Sequence, residues 1–99
     1  MHTVNNPKDL TKLLNKSPVV VLKVYADWCG PCKMYGPKFN NLEKKYDNKN
    51  ISFGESNVDK KIVKVEALPT TIFIKDGRIV DKVVGGDILK VEEKIRRYS

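Results

Sequence analysis

Apolar residues follow two spacings along the chain, one typical of strands and one typical of helices. Residues 19–25 are apolar except for Lys23, which is the pattern of a central strand covered on both faces. Alternating or β-rich runs predict further strands at 51–56, 70–75 and 78–84. The Asp-Gly dipeptide between the last two runs predicts a hairpin turn.

Four segments are predicted to be helical. The first begins at the N-cap Asn6 and ends at 17–18, and a very short edge strand fits ahead of it. The second covers 31–46, where apolar residues recur every three or four positions. A short third helix at 59–65 is capped by its first residue, an aspartate, and Asp87 caps the last helix.

Length and charge restrict the classes of protein. The 99 residues fit a single domain, which we place at 1–99, and can bury a core without a metal. The net charge is +7, from 19 Lys and Arg against 12 Asp and Glu, and the lysines are scattered along the chain. No arginine-rich run accompanies them, so we interpret them as a solvated surface and expect no nucleic-acid partner. A preference for acidic partner proteins stays open.

The compartment is predicted from the absence of targeting patterns. No apolar run approaches the roughly 18 residues of a membrane span, so no membrane association is expected. Residues 1–6 lack the basic and apolar segments of a signal peptide. We therefore expect a cytoplasmic protein.

The chain has two cysteines, Cys29 and Cys32, which lie where the predicted central strand gives way to a helix. A helix N-terminus carries partial positive charge and unpaired N–H groups, and both favour the nucleophilic thiolate. The spacing also allows the two sulfurs to form a disulfide with each other, as thiol–disulfide exchange requires. The alternatives are a structural disulfide and half of a zinc site. A zinc site usually has four ligands, and beyond the cysteines there is only His2.

Residues 28–33, Trp-Cys-Gly-Pro-Cys-Lys, resemble the active-site motif of thioredoxins, and the Gly-Pro pair between the cysteines separates them from related oxidoreductases. The resemblance extends to Pro37, 68–70, 76–77 and 85–86. It implies the thioredoxin fold, an α/β architecture with a central mixed β-sheet flanked by helices on both faces. The predicted element order, βαβαβαββα, is similar to that fold.

The resemblance also assigns roles to individual residues. It implies that Cys29 is the attacking nucleophile and that Cys32 is the resolving cysteine. It implies a substrate groove with a cis peptide bond before Pro69; its residues are Trp28, Gly30, Pro31, Leu68, Pro69 and Gly85. Trp28 has packing as its alternative role, and Gly85 has a simple turn. No cofactor and no metal are implied.

One pair of residues departs from the family pattern. Thioredoxins usually have a buried acidic residue six positions before the first cysteine and a lysine on the neighbouring strand. This chain has Lys23 at the first position and Glu55 at the second, so the charges are exchanged. Strand alternation places Lys23 and Glu55 on the same face of adjacent strands. We expect a buried pair that assists proton transfer at Cys32.

The resemblance implies a thiol-disulfide oxidoreductase that reduces protein disulfides and is recharged by a thioredoxin reductase. We expect it to act as a monomer. One alternative is a disulfide oxidant or isomerase, because Lys23 near the sulfurs favours a shifted redox poise. The other is a non-catalytic binding module with the same fold, although such a module needs neither thiol.

Overall fold

A computed structural model describes residues 1–99 as one sheet with helices on both faces. The helices are α1 (Pro7–Lys16), α2 (Gly30–Tyr46) and α3 (Ile88–Tyr98). The strands are β1 (His2–Thr3), β2 (Val19–Tyr25), β3 (Ile51–Asn57), β4 (Thr70–Lys75) and β5 (Arg78–Val84). None of the helices is long and apolar enough to cross a bilayer.

The five strands lie in the order β1-β3-β2-β4-β5. β3 is parallel to β1 and β2, whereas β4 is antiparallel to both of its neighbours, β2 and β5. The predicted mixed sheet is therefore confirmed, with β2 at its centre. Val19 and Val21 of β2 join the core beneath α2 and α3, while Val20 and Leu22 join the core on the α1 side. This two-sided burial explains the nearly unbroken apolar run.

Local sequence signals account for the ends of these elements. The Asn6 side chain accepts the Asp9 N–H at the start of α1, and the Asp87 side chain accepts the Lys90 N–H at the start of α3. Both residues of the predicted hairpin turn have positive φ, 51° at Asp76 and 81° at Gly77. Such angles match the twist of the flanking strands in a two-residue hairpin.

The predicted helix at 59–65 is wrong. The structure has a 3₁₀ turn at Val58–Lys60, and its cap is Asn57, whose side chain accepts the Asp59 N–H. Lys61 then adopts a left-handed conformation with φ of 57°, which ends the turn because a right-handed helix cannot continue through it. The apolar residues that suggested the helix, Val63 and Val65 among them, pack against the α1-side core from an irregular segment.

Candidate active site

Cys29 and Cys32 form a disulfide at the junction of β2 and α2, with their Cα atoms 5.3 Å apart. Cys29 is the N-cap of α2, and its Sγ accepts a hydrogen bond from the Cys32 backbone N–H at 3.2 Å. Both residues are buried, with 6% and 5% of their surface exposed, and they contact Ala26. Exposure of the oxidised pair therefore does not separate the two cysteines.

An open groove beside the disulfide does separate them. The groove has a volume of about 600 Å³ and is lined by Cys29 but not by Cys32. Trp28, with 71% of its surface exposed, forms part of its wall. The remaining lining residues are Gly30, Pro31, Val58, Val65, Glu66, Ala67 and Leu68. We call this surface the active-site groove.

Sequence reasoning named five of these residues and missed Val58, Val65, Glu66 and Ala67. Of these four residues, only Val65 lay within the predicted helix at 59–65. Val65, Glu66 and Ala67 could have been predicted from their place in the chain, since they directly precede Leu68 and Pro69, which we call the proline loop.

The Leu68–Pro69 peptide bond is cis, as the resemblance implied. Gly85 does not line the active-site groove but supports the proline loop, because its N–H donates to the Pro69 carbonyl at 2.7 Å. The φ of Gly85 is 91°, a conformation that residues with a side chain rarely adopt. Gly85 thus forms a turn and also supports the loop that contains Pro69.

Lys23 and Glu55 are direct register partners on β2 and β3. The Lys23 Nζ lies 3.5 Å from Glu55 Oε1, and 8% of the lysine side chain is exposed against 26% of the glutamate side chain. Lys23 is therefore buried and Glu55 half-buried. The Lys23 Nζ also lies 5.5 Å from the centre of the Phe39 ring.

A distance to Gly36 shows where the Lys23 ammonium lies relative to Cys32. A Cβ atom placed on Gly36 would lie 3.8 Å from the Lys23 Nζ. Gly36 is one helical turn beyond Cys32, and residues four apart on a helix share a face. Lys23 thus lies beneath the first full turn of α2 after Cys32.

Tyr25 adds a second polar group near this pair. Burial raises the pKa of its hydroxyl, and the negative charges of Glu55 and Asp27 raise it further. Tyr25 packs against the cluster that contains both cysteines.

No group of three or more His, Cys, Asp or Glu side chains lies close enough together to hold a metal ion.

The comparisons with known proteins agree with this geometry. The family model described as Thioredoxin matches residues 2–97. A thioredoxin of Aspergillus fumigatus is 38% identical over 97% of this chain and 92% of its own length. The solved structure of Fasciola hepatica thioredoxin has a TM-score of 0.90 at 35% identity, with all of both chains covered. That of Schistosoma mansoni thioredoxin has a TM-score of 0.85 at 39% identity and covers 98% of this chain and 94% of its own.

The matched length includes both cysteines, and they occupy the position of the family's redox-active pair. The chain therefore belongs to the thioredoxin family and is a thiol-disulfide oxidoreductase that exchanges dithiol and disulfide through Cys29 and Cys32.

Proposed function

We propose that the chain reduces disulfides in other proteins, with Cys29 as the attacking nucleophile and Cys32 as the resolving thiol. The single observation that carries this assignment is the contact at the start of α2, where Cys29 Sγ accepts the Cys32 N–H. A donor N–H and the positive end of the helix dipole both stabilise negative charge on that sulfur. Cys29 also lines the active-site groove, where a substrate sulfur can reach it.

The proposed reaction has two exchange steps. In the reduced protein, the Cys29 thiolate attacks one sulfur of the substrate disulfide, which breaks and releases one substrate thiolate. The mixed disulfide so formed is attacked at Cys29 Sγ by the Cys32 thiolate. The second substrate thiolate leaves, both released thiolates take up protons, and two electrons have passed from the protein to the substrate.

The groove residues are proposed to hold the chain that flanks the substrate disulfide. Trp28, Gly30 and Pro31 line the active-site groove, and so does Leu68. Neither the backbone N–H nor the carbonyl of Leu68 is engaged in a hydrogen bond within the protein. An extended substrate can pair with those groups as an added strand, and alternate side chains would then contact Trp28. Pro69 and Gly85 hold this loop in place.

Lys23 and Glu55 are proposed to assist proton transfer at Cys32. A buried ammonium beneath the turn of α2 that follows Cys32 favours the Cys32 thiolate that the second step needs. Glu55, half-buried and 3.5 Å from Lys23, accepts the proton that Cys32 loses. Other thioredoxins usually have a buried acid at the position of Lys23. The pair of Lys23 and Glu55 would take its place here.

The electron donor, the compartment and the oligomeric state are also proposals. A reductase that consumes its own thiols needs a source of two electrons, and a thioredoxin reductase is the partner that the family implies. Sustained reduction needs a reducing compartment, so we assign the cytoplasm. One chain contains both thiols and the groove, so we assign a monomer.

One observation favours a second candidate, a disulfide oxidant or isomerase. Lys23, beneath the turn of α2 that follows Cys32, stabilises the Cys32 thiolate and hence the reduced form, which makes the disulfide more oxidising. The reduction potential separates the two. A reductase should lie near the value typical of thioredoxins, about −270 mV, whereas a strong oxidant lies near about −120 mV.

Turnover of insulin disulfides tests the proposed roles. Cys29→Ser should lose the reaction and form no adduct. Cys32→Ser should also stop turning over but accumulate a mixed disulfide through Cys29, which mass spectrometry of the intact protein detects. The double serine variant is the control for non-covalent retention; equal retention by this variant would favour a binding module instead. Equal trapping by the two single variants would contradict the assignment.

A further inference from the structure

The two faces of the sheet are covered unequally. α2 and α3 pack on one face, whereas the other carries α1 and the irregular segment that follows β3. α1 packs mainly against β2 and β3. Beyond the 3₁₀ turn at Val58–Lys60, no helix covers the α1-side surface of β4 and β5.

A second groove of about 450 Å³ lies on this part of the sheet. Its apolar lining comes from Ile72 of β4, from Val63 and Val65 of the irregular segment, and from Ile79 and Val84 of β5. Ile79 pairs with Ile74 and Val84 pairs with Thr70, so both lie on the face that α1 covers only in part. Their exposed fractions are 65% and 49%, which is high for large aliphatic residues. We call this surface the β5 groove.

The β5 groove adjoins the active-site groove. Val65 and Glu66 line both of them. A chain bound across Leu68 can therefore continue over Val65 and enter the β5 groove without leaving the protein surface.

The charged residues that line the β5 groove leave one lysine, Lys64, without a partner. Lys64 and Lys82 both line the groove, and Glu66 is paired with Lys82 at 3.5 Å. The nearby carboxylate of Asp81 is engaged by Lys94 of α3 at 2.7 Å. Both acidic groups are thus neutralised by cations, and Lys64 remains exposed among the apolar residues of the lining. Such a surface favours acidic partners.

We propose that the β5 groove is a second docking site for protein substrates and holds an extended segment of apolar residues with Asp and Glu among them. The segment is the chain that flanks the substrate's disulfide. This inference rests on the proposed function, because the substrate cysteine has to reach Cys29 while its flank lies in the groove.

Peptide probes of fixed design test the proposal. Each carries one cysteine in a disulfide with nitrothiobenzoate, and one equivalent of that thiol is released whichever sulfur Cys29 attacks. The short probe has no extension. Two long probes carry ten further residues of Val, Leu, Asp and Glu, on one side or the other of the cysteine. Fully extended, these residues span roughly 33 Å, compared with a largest dimension of 32 Å for the protein. In a control probe, Lys replaces the acidic residues.

In single turnovers of the reduced protein, one acidic probe should react with a second-order rate constant about ten-fold above that of the short probe, mainly through tighter binding, which corresponds to about 1.4 kcal/mol. Ile79→Thr with Val84→Thr should remove most of this gain while keeping β-branched side chains in the strand. Lys64→Glu should reduce it. Leu89→Ser and Lys90→Glu, which alter exposed residues of α3, are the matched controls and should preserve it.

Binding of the extension alone gives a reading that does not depend on the exchange reaction. A cysteine-free acidic extension should shift the backbone amide resonances of 79–84 and 63–66, and the threonine double variant should lose those shifts. If the short probe is not reduced, the proposed function fails while this titration still tests the groove.

The proposal is overturned if neither acidic probe gains over the short one, if the lysine probe gains equally, or if the double threonine variant keeps the gain. A concentration-dependent dimer in sedimentation that the same double variant abolishes would assign the groove to a second copy of the chain instead.

Discussion

Lys23 and Glu55 face each other on parallel strands β2 and β3, with 3.5 Å between Nζ and Oε1. Lys23 is almost wholly buried between the sheet and α2, and Glu55 is about a quarter exposed. Each charge has lost water that the other partly replaces. The ion pair therefore offsets part of the free-energy cost of burying a charge in the surrounding apolar core.

This pairing predicts strong coupling in a double-mutant cycle. Lys23→Met and Glu55→Gln should each lower the free energy of unfolding, and the double variant should lose less than the sum. The half-burial of Glu55 places the coupling between values for exposed and buried pairs, at about 1–2 kcal/mol. Chemical denaturation of the native protein, the two single variants and the double variant measures this coupling. The exchanged variant Lys23→Asp with Glu55→Lys should recover much of the loss.

Lys82 and Glu66 provide a matched control for that cycle. Their charged atoms are also 3.5 Å apart, but 57% and 84% of the two side chains are exposed. The same cycle there should give a coupling below about 1 kcal/mol. Additive effects at Lys23 and Glu55 as well would mean that these two residues do not act as a pair.

Acid should weaken the attachment of α3 to the sheet through Asp81. The hydrogen bond from Lys94 lowers the pKa of the Asp81 carboxyl to about 2 from an ordinary value of 3.8, and the Tyr98 hydroxyl adds to the effect. A depressed pKa in the folded state adds stability above the unfolded value, and this stability is lost as the pH falls through the folded one. The advantage of the native protein over Asp81→Asn should therefore shrink between about pH 4 and about pH 2.

Denaturation at constant ionic strength across that range measures the difference in the free energy of unfolding. Lys94→Met is the matched variant, because it removes the largest cause of the shift and keeps the carboxylate. When Asp81→Asn is introduced into the Lys94→Met variant, the change in the free energy of unfolding should depend less on pH. A difference that stays constant from neutral pH to the acid limit contradicts the assignment.

Two glycines of the site should respond in opposite ways to alanine. Gly85 has φ of 91°, and no atom lies within 4 Å of the place that an alanine Cβ would take, so strain and not collision sets the cost of Gly85→Ala. We expect a loss of about 1–3 kcal/mol in the free energy of unfolding. Gly30 lies in the first turn of α2 with equally open space, and Gly30→Ala should be neutral or stabilising by up to about 1 kcal/mol. Thermal and chemical denaturation of the two variants compares them; equal effects would rule out backbone strain at Gly85.

The central part of the fold was predictable because it depends on short-range patterns. The apolar run of β2, the caps at Asn6 and Asp87 and the positive-φ turn at 76–77 all follow from local chemistry. The pairing of Lys23 with Glu55 was also predictable, because alternation fixes which residues share a face and the structure has them in register.

Features that depend on contacts distant in sequence were not accessible in the same way. The segment after β3 has apolar residues at spacings that a short helix and an irregular packed segment satisfy equally, and the left-handed Lys61 decides between them. Val65 was missed as a groove residue for that reason. The cis bond before Pro69 was predicted by resemblance alone, since only about 5–6% of such bonds are cis.

The nucleophilic role of Cys29 is the central claim, and the alkylation rate of each thiol tests it most directly. The reduced protein is treated briefly with iodoacetamide at a series of pH values, and mass spectrometry of the digest measures the label on each cysteine. Because Cys29 Sγ lies at the positive end of α2 and accepts the Cys32 N–H, Cys29 should be labelled first near neutral pH, with a rate that reaches its plateau at a lower pH than that of Cys32. Faster labelling of Cys32 throughout the series would contradict the account.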